Sequence, residues 1–260
     1  MQNIDLLFIV QPIIVIIICT LLLVYLHFKR RFHWLVLLYS LVAYAVAIAL
    51  KYAVQIPTAA SVTSYFGSVS VGFGAYLGLQ TVFFEVGLAY VVASYTVSRK
   101  MLEQKDAEAY GAGLAFWENA GLLGILSLIN LLTYYSILSS NTPLAQSLYE
   151  QLSKSAPGLF APASQALNSI ALGTIERISS IMIHTAWGYL CLMAACLNKK
   201  RLFLIALPIG FVDFLVPFAS SMGIVVFEAS IFALSVLSVL VAWCATKRVR
   251  NTFKSKAQPH

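Results

Sequence analysis

"TIERISSIMIHTAWG", Thr174 to Gly188, places an acid, an arginine and a histidine inside a run, residues 169–197, that is otherwise apolar enough to cross a bilayer. An ionised side chain at the centre of a membrane helix costs about 2.5–3.5 kcal/mol on insertion scales, so such residues need a purpose. Two things decide how this stretch is read: whether the rest of the chain also belongs in a membrane, and whether other spans bring partners for Glu176, Arg177 and His184.

The first point follows from composition. The 260 residues are 60% hydrophobic and only 10% charged, with a mean hydropathy of +0.84. Those values exclude an ordinary soluble domain and indicate an all-α, polytopic membrane helix bundle. A spanning helix needs about 20 largely apolar residues. Seven runs qualify, approximately 6–28, 33–54, 69–98, 110–137, 169–197, 202–222 and 224–246, and they make up a single transmembrane domain over residues 1–260. The first run has no basic leader and no small-residue cleavage site, and so reads as a span rather than a removed signal. The formal net charge of +7 could suggest nucleic-acid binding, but the basic residues sit in short clusters between the apolar runs, so no nucleic acid is expected as a partner.

Those clusters set the orientation. Of the 17 Lys and Arg residues, 14 fall on one side: 29–31; Arg99, Lys100 and Lys105; 199–201; and Lys247, Arg248, Arg250, Lys254 and Lys256. The other side receives Lys51 and Lys154, and Arg177 lies within a span. The positive-inside rule then places the N-terminus outside and the C-terminus in the cytoplasm of a multi-pass cell-membrane protein. The longest connection, 139–168, is an outer loop with Pro143, Pro157 and Pro162 and an amphipathic middle, "LAQSLYEQLSKSA". It reads either as a short interfacial helix or as a plain surface loop. The four cysteines, Cys19, Cys191, Cys196 and Cys244, lie in apolar runs without metal-type spacing and read as small buried hydrophobes.

Partners for the opening stretch come from three other spans. Glu85, Glu118 and Asp213 lie within runs three, four and six at depths that converge with His184 when each helical residue rises about 1.5 Å. Glu85 shares a helical face with Gly74, Gly78 and Thr81, and Glu118 shares one with Gly111 and Ala115, beside Asn119. Gly173, Arg177, Ser180, His184, Gly188 and Cys191 form a third stripe, with Glu176 about 100° away from Arg177. In run six Pro217 cannot donate to the carbonyl of Asp213, which puts an acid and a freed acceptor at one level. Stripes of small residues are also ordinary packing faces, and one ion pair can glue two helices. Six charged residues with acid in excess go beyond what glue requires.

Buried carboxylates beside a histidine can act as general acids and bases. Glu118, Glu176 and His184 form the candidate catalytic group, with Glu85, Arg177 and Asp213 as its polar support. One histidine falls short of the His-rich, three-ligand sets of catalytic zinc, so no metal and no other cofactor is expected. The seventh run has no lysine for a Schiff base, which disfavours a rhodopsin-like pigment.

Four motifs in order resemble a known group. "ERISSIMIHTAWGYL" resembles the ER-(six residues)-H segment of the YhfC-like membrane proteins, which are related to CAAX-processing and PrsW-type glutamic intramembrane proteases. "FFEVGLAY" is similar to the FEE-x-G-R helix with Glu85 at its second Glu. "YGAGLAFWENAGLLG" is similar to YGxGHGGxEA with Glu118 as its Glu, and "IGFVDFLV" to H-x-x-x-D with Asp213 as its Asp. The resemblance implies a glutamate and a histidine activating water against a peptide bond within the bilayer. Phe84, Leu88, Leu114 and Ile209 stand where the motifs carry Glu, Arg, His and His. Three functions therefore remain open: an intramembrane peptidase acting on a membrane helix or peptide, a non-catalytic scaffold or subunit of a membrane complex, and a proton or cation conductor.

Overall fold

The computed structural model describes residues 3–140 and 142–256, with the side chains of 163–164 and 250–256 left out of the description. Among the described residues there is no strand, and eight helices follow one another, with a short 3₁₀ turn at Pro157–Phe160. They are α1 (Leu6–Arg30), α2 (Leu35–Phe66), α3 (Val71–Ser98), α4 (Gln104–Leu138), α5 (Pro143–Ser155), α6 (Ala163–Cys196), α7 (Lys200–Met222) and α8 (Ile224–Lys256). All but α5 are long and apolar enough to cross a membrane, which gives the seven expected spans. The side chains of Arg250, Lys254 and Lys256, assigned by sequence to the basic side, lie outside the described residues.

The bundle is organised around α6. Buried residues make up 67% of its apolar window, against 39% or less in every other span. This is the helix that carries the charges of the opening stretch, and its position turns them toward protein rather than lipid. The outer helices expose large apolar side chains such as Leu21, Phe28, Ile56, Val225 and Leu240, as a hydrocarbon-facing surface requires. Packing against α6 depends on small residues. A Cβ on Gly111 of α4 would lie 2.3 Å from the Thr185 carbonyl oxygen, and one on Gly188 of α6 would lie 2.7 Å from the Gly111 Cα. Only glycine at both positions lets the two backbones cross this closely.

The outer connection contains a helix. Thr142 caps α5 by accepting from the Ala145 N–H at 3.3 Å, and Pro143 occupies the first turn. Leu152 packs with Ile4 and Leu138, so the helix rests on the end of the bundle.

One expectation is corrected. Lys51, counted with the sparsely charged side at the outer end of run 33–54, is not at the end of its helix, because α2 runs on to Phe66 rather than ending near 54. Pro57 is accommodated inside the helix, and Lys51 stands in its middle with a side chain only 16% exposed.

Away from the helix starts, three stretches within the spans depart from α geometry. Thr81–Val86 in α3 and Trp117–Gly124 in α4 are π-helical, and Phe211–Phe218 in α7 is a 3₁₀ segment containing Pro217. Each carries one intramembrane acid: Glu85, Glu118 and Asp213 respectively. Wide π turns interrupt the regular ladder and re-aim side chains, which is why they recur at functional sites.

Candidate functional site

The cluster is built outward from His184. In α6 the carbonyl oxygen of Ser180, one turn earlier, lies 2.9 Å from His184 Nδ1, and the Ser180 hydroxyl lies 3.3 Å away. A carbonyl can only accept, so Nδ1 carries a proton and donates it to Ser180. That leaves Nε2 as the working nitrogen. It faces Glu85 Oε2 at 3.3 Å and Glu118 Oε2 at 2.5 Å. The approach of Nε2 to Glu118 Oε2 makes no aligned hydrogen bond, and that oxygen is buried without a hydrogen-bond partner.

An imidazole lone pair pointed at two carboxylates is repulsive unless positive charge stands between them. A second ring proton would provide that charge, and so would a metal ion held by the three side chains. The geometry suits the metal: one ligand atom from each of Glu85, Glu118 and His184 lies within 4.8 Å of the others. One imidazole and two carboxylates form a donor set for a divalent first-row ion, and the Nδ1–H to Ser180 bond is the outer contact that orients a ligating histidine. The expectation of no metal rests on a count of histidines, whereas here two carboxylates join the single ring.

Lys51 supplies a fixed cation that sequence reasoning did not assign to the site. Its Nζ lies 2.7 Å from Glu85 Oε1, 3.1 Å from Asp213 Oδ2 and 2.8 Å from Thr81 Oγ1. Thr81 in turn donates to Asp213 Oδ2 at 2.5 Å. Asp213 is therefore tied to the cluster through Lys51 and Thr81, at one remove from His184. Gln55, which faces the same cavity one turn beyond Lys51, is the sequence signal that α2 stays polar on this side.

Arg177 and Glu176 sit about two turns from His184 along α6. Their side chains form an ion pair with each other, and Arg177 also approaches Asn119 Oδ1 at 3.4 Å. Asn119 donates to Ser180 Oγ at 3.1 Å, and Ser180 Oγ stands 3.4 Å from Glu118 Oε1, which links this pair to the centre through short polar side chains. Of the expected catalytic group, Glu118 and His184 are brought together. Glu176 lies apart from them with its side chain 43% exposed, and Glu85 takes the third place around the ring.

Two cavities meet at Glu176 and Arg177. One, of about 380 Å³, holds Lys51, Glu85, Glu118, His184 and Asp213 between α2, α3, α4, α6, α7 and α8. The other, of about 440 Å³, lies between α1 and α4 near the α5 end of the bundle, with Gln11, Asn119, Ser127 and Asn130 on its walls. Glu176, Arg177 and Leu123 line both. Across the cluster four carboxylates, of Glu85, Glu118, Glu176 and Asp213, face the cations of Lys51 and Arg177. The excess of two negative charges is what a divalent cation neutralises.

The family scan agrees with this geometry. Neither a search of curated proteins nor a search of solved structures returns a match. The chain is a protease-like membrane protein and belongs to the YhfC family, whose model, described as YhfC intramembrane metalloprotease, matches residues 13–246.

Proposed function

We propose that the protein is an active, metal-dependent intramembrane peptidase of the cell membrane, with Glu85, Glu118 and His184 holding a divalent ion. The observation that carries this reading is the convergence of the three donors, with Nδ1 of His184 engaged by Ser180 and Nε2 directed at two carboxylates. A divalent ion in that position supplies Lewis-acid activation of water and of a peptide carbonyl.

The chain's own residues supply the rest. Glu176 stands outside the donor set, lines the same cavity and keeps its carboxylate partly exposed, so in this reading it accepts protons relayed by water along the cavity rather than acting at the centre itself. Arg177 orients it through their ion pair and, with Lys51, brings positive charge to two sides of the cavity, where it favours a developing oxyanion. Walls such as Leu77, Val216, Phe227 and Ile231 suit an apolar segment, which points to a membrane helix or peptide as substrate. The second cavity brings polar side chains from the bundle end to the Glu176–Arg177 pair and gives water a route separate from the substrate's.

A cation conductor fits less well, because Lys51 is an ammonium fixed inside the cavity and repels a passing cation. The test is cleavage of a panel of single-helix substrates by the purified protein, with and without a chelator. The expected result is cleavage that stops on chelation and returns with Zn²⁺, Mn²⁺ or Co²⁺. Absence of cleavage by the wild-type chain with any of these ions would overturn the peptidase reading and leave a non-catalytic scaffold or complex subunit.

A further inference from the structure

A groove of about 1100 Å³ lies at the basic end of the bundle between the α6–α7 connection, α7 and α8, far along the chain from the histidine centre. Its two helices repeat one pattern. On α7, Arg201 stands one turn from Ile205, and Leu202 lies beside them. On α8, Val241, Ala245 and Arg248 follow at steps of four and three, again one face with the charge at its end. Lys199 and Lys200 complete a cationic rim, so charge sits at one end of the groove and aliphatic surface runs away from it. Among the described residues no carboxylate lines it. The acids on this side of the bundle are engaged elsewhere: Glu108 with Arg30, Asp106 with His33 and Glu103 with Lys105. Trp243 is exposed one turn from Lys247, whose ammonium lies 4.8 Å over its ring, and this amphipathic pair marks the level of the membrane boundary.

The geometry points to this groove as a binding site for one anionic phospholipid, independent of the peptidase reading. The headgroup phosphate pairs with Lys200 and Arg201, and an acyl chain lies along Ile205, Val241 and Ala245. Basic pockets between spanning helices at the cytoplasmic interface recognise anionic headgroups in this way. A soluble anion would use only the rim and leave the aliphatic walls bare.

The test is native mass spectrometry of the purified full chain titrated with phosphatidylglycerol, phosphatidylcholine or glycerol phosphate. The wild type should take up one phosphatidylglycerol about 10- to 30-fold more tightly than phosphatidylcholine, the discrimination that two interfacial cations give. The double variant Lys200→Gln with Arg201→Gln should bind the two lipids alike. Lys29→Gln with Arg31→Gln, which removes equal charge from the same side outside the groove, should keep the wild-type preference. Lys200→Arg with Arg201→Lys should restore binding, which separates loss of charge from misfolding. Equal binding of the two lipids by wild type, an equal loss in the control pair, or glycerol phosphate binding as tightly as the lipid would each overturn the assignment.

Discussion

Glu85 and Glu118 set the fold the same problem, a carboxylate among membrane helices, and their surroundings answer it differently. Glu85 lies on α3 against α7, where Lys51 reaches in from α2 and bridges it to Asp213 while Thr81 ties the two helices together. Its Oε1 is thus held by a cation, while Oε2 faces His184 Nε2 at 3.3 Å. Glu118 lies on α4 against α6, where the Gly111–Gly188 crossing draws the backbones together but brings no lysine. Its close neighbours are His184, at an angle that makes no hydrogen bond, and Ser180 at a long 3.4 Å, so one oxygen stays unsatisfied. A buried unpaired acceptor is costly, and proteins keep such groups where function uses them. The first carboxylate, the closed side of the contrast, is fixed through Oε1 by Lys51 and turns only Oε2 to the shared centre, whereas the second, the open side, meets the centre without a lysine to hold it.

Substitutions can break or sharpen that contrast. On the open side, Glu118→Gln or His184→Ala should lower peptidase activity on the order of 10³-fold or more, since each removes a member of the centre itself. Thermal unfolding in detergent should shift only slightly for Glu118→Gln. A large fall in stability there would show that Glu118 is locked too, and the contrast would fail. On the closed side the order reverses. Lys51→Met leaves Glu85 and Asp213 facing each other without their cation, and breaking a buried pair from one side costs about 3–5 kcal/mol. Denaturation of this variant should show that loss, and adding Glu85→Gln should recover part of it.

The crossing is tested next. Gly111→Val forces a side chain onto the Thr185 carbonyl and should cost about 1–3 kcal/mol by overpacking. Because it separates Glu118 from His184, its activity should fall further than its stability. The smallest effect belongs to Arg30 and Glu108, 2.5 Å apart at the basic surface with side chains 42% and 32% exposed. A double-mutant cycle there should give a coupling below about 1 kcal/mol, the value for solvated pairs, and sets the scale against which the Lys51 pairs are judged.

Much of this was legible before any coordinates. The seven spans follow from hydropathy alone, and the small-residue stripes correctly place Glu85 with Thr81 and Glu118 with Asn119. Lys51 was missed because it stands near the outer end of run 33–54 and was counted only for orientation, whereas α2 continues through Pro57, and Thr58 is held by Tyr76 at 2.7 Å. The π turns were invisible because steps of three and four presuppose an α-helix, and a widened turn changes where Glu85 and Glu118 point without altering the spacing. Glu176 misses the ring around His184 for another reason: it sits two turns away on the regular helix α6, about 100° around from Arg177. The basic groove was hidden for a different reason: its cations were already accounted for by topology, and only the packing of α7 against α8 sets them beside a shared apolar wall.

Whether Glu85, Glu118 and His184 form one metal centre is tested most directly by the metal content of the purified protein. Wild-type chain dialysed against a trace of Zn²⁺, Mn²⁺ or Co²⁺ should retain close to one ion per chain, while Glu118→Gln and His184→Ala lose it and remain folded. Wild type that retains no ion, or variants that retain as much as wild type, would contradict the claim and leave His184 held by a proton between two carboxylates.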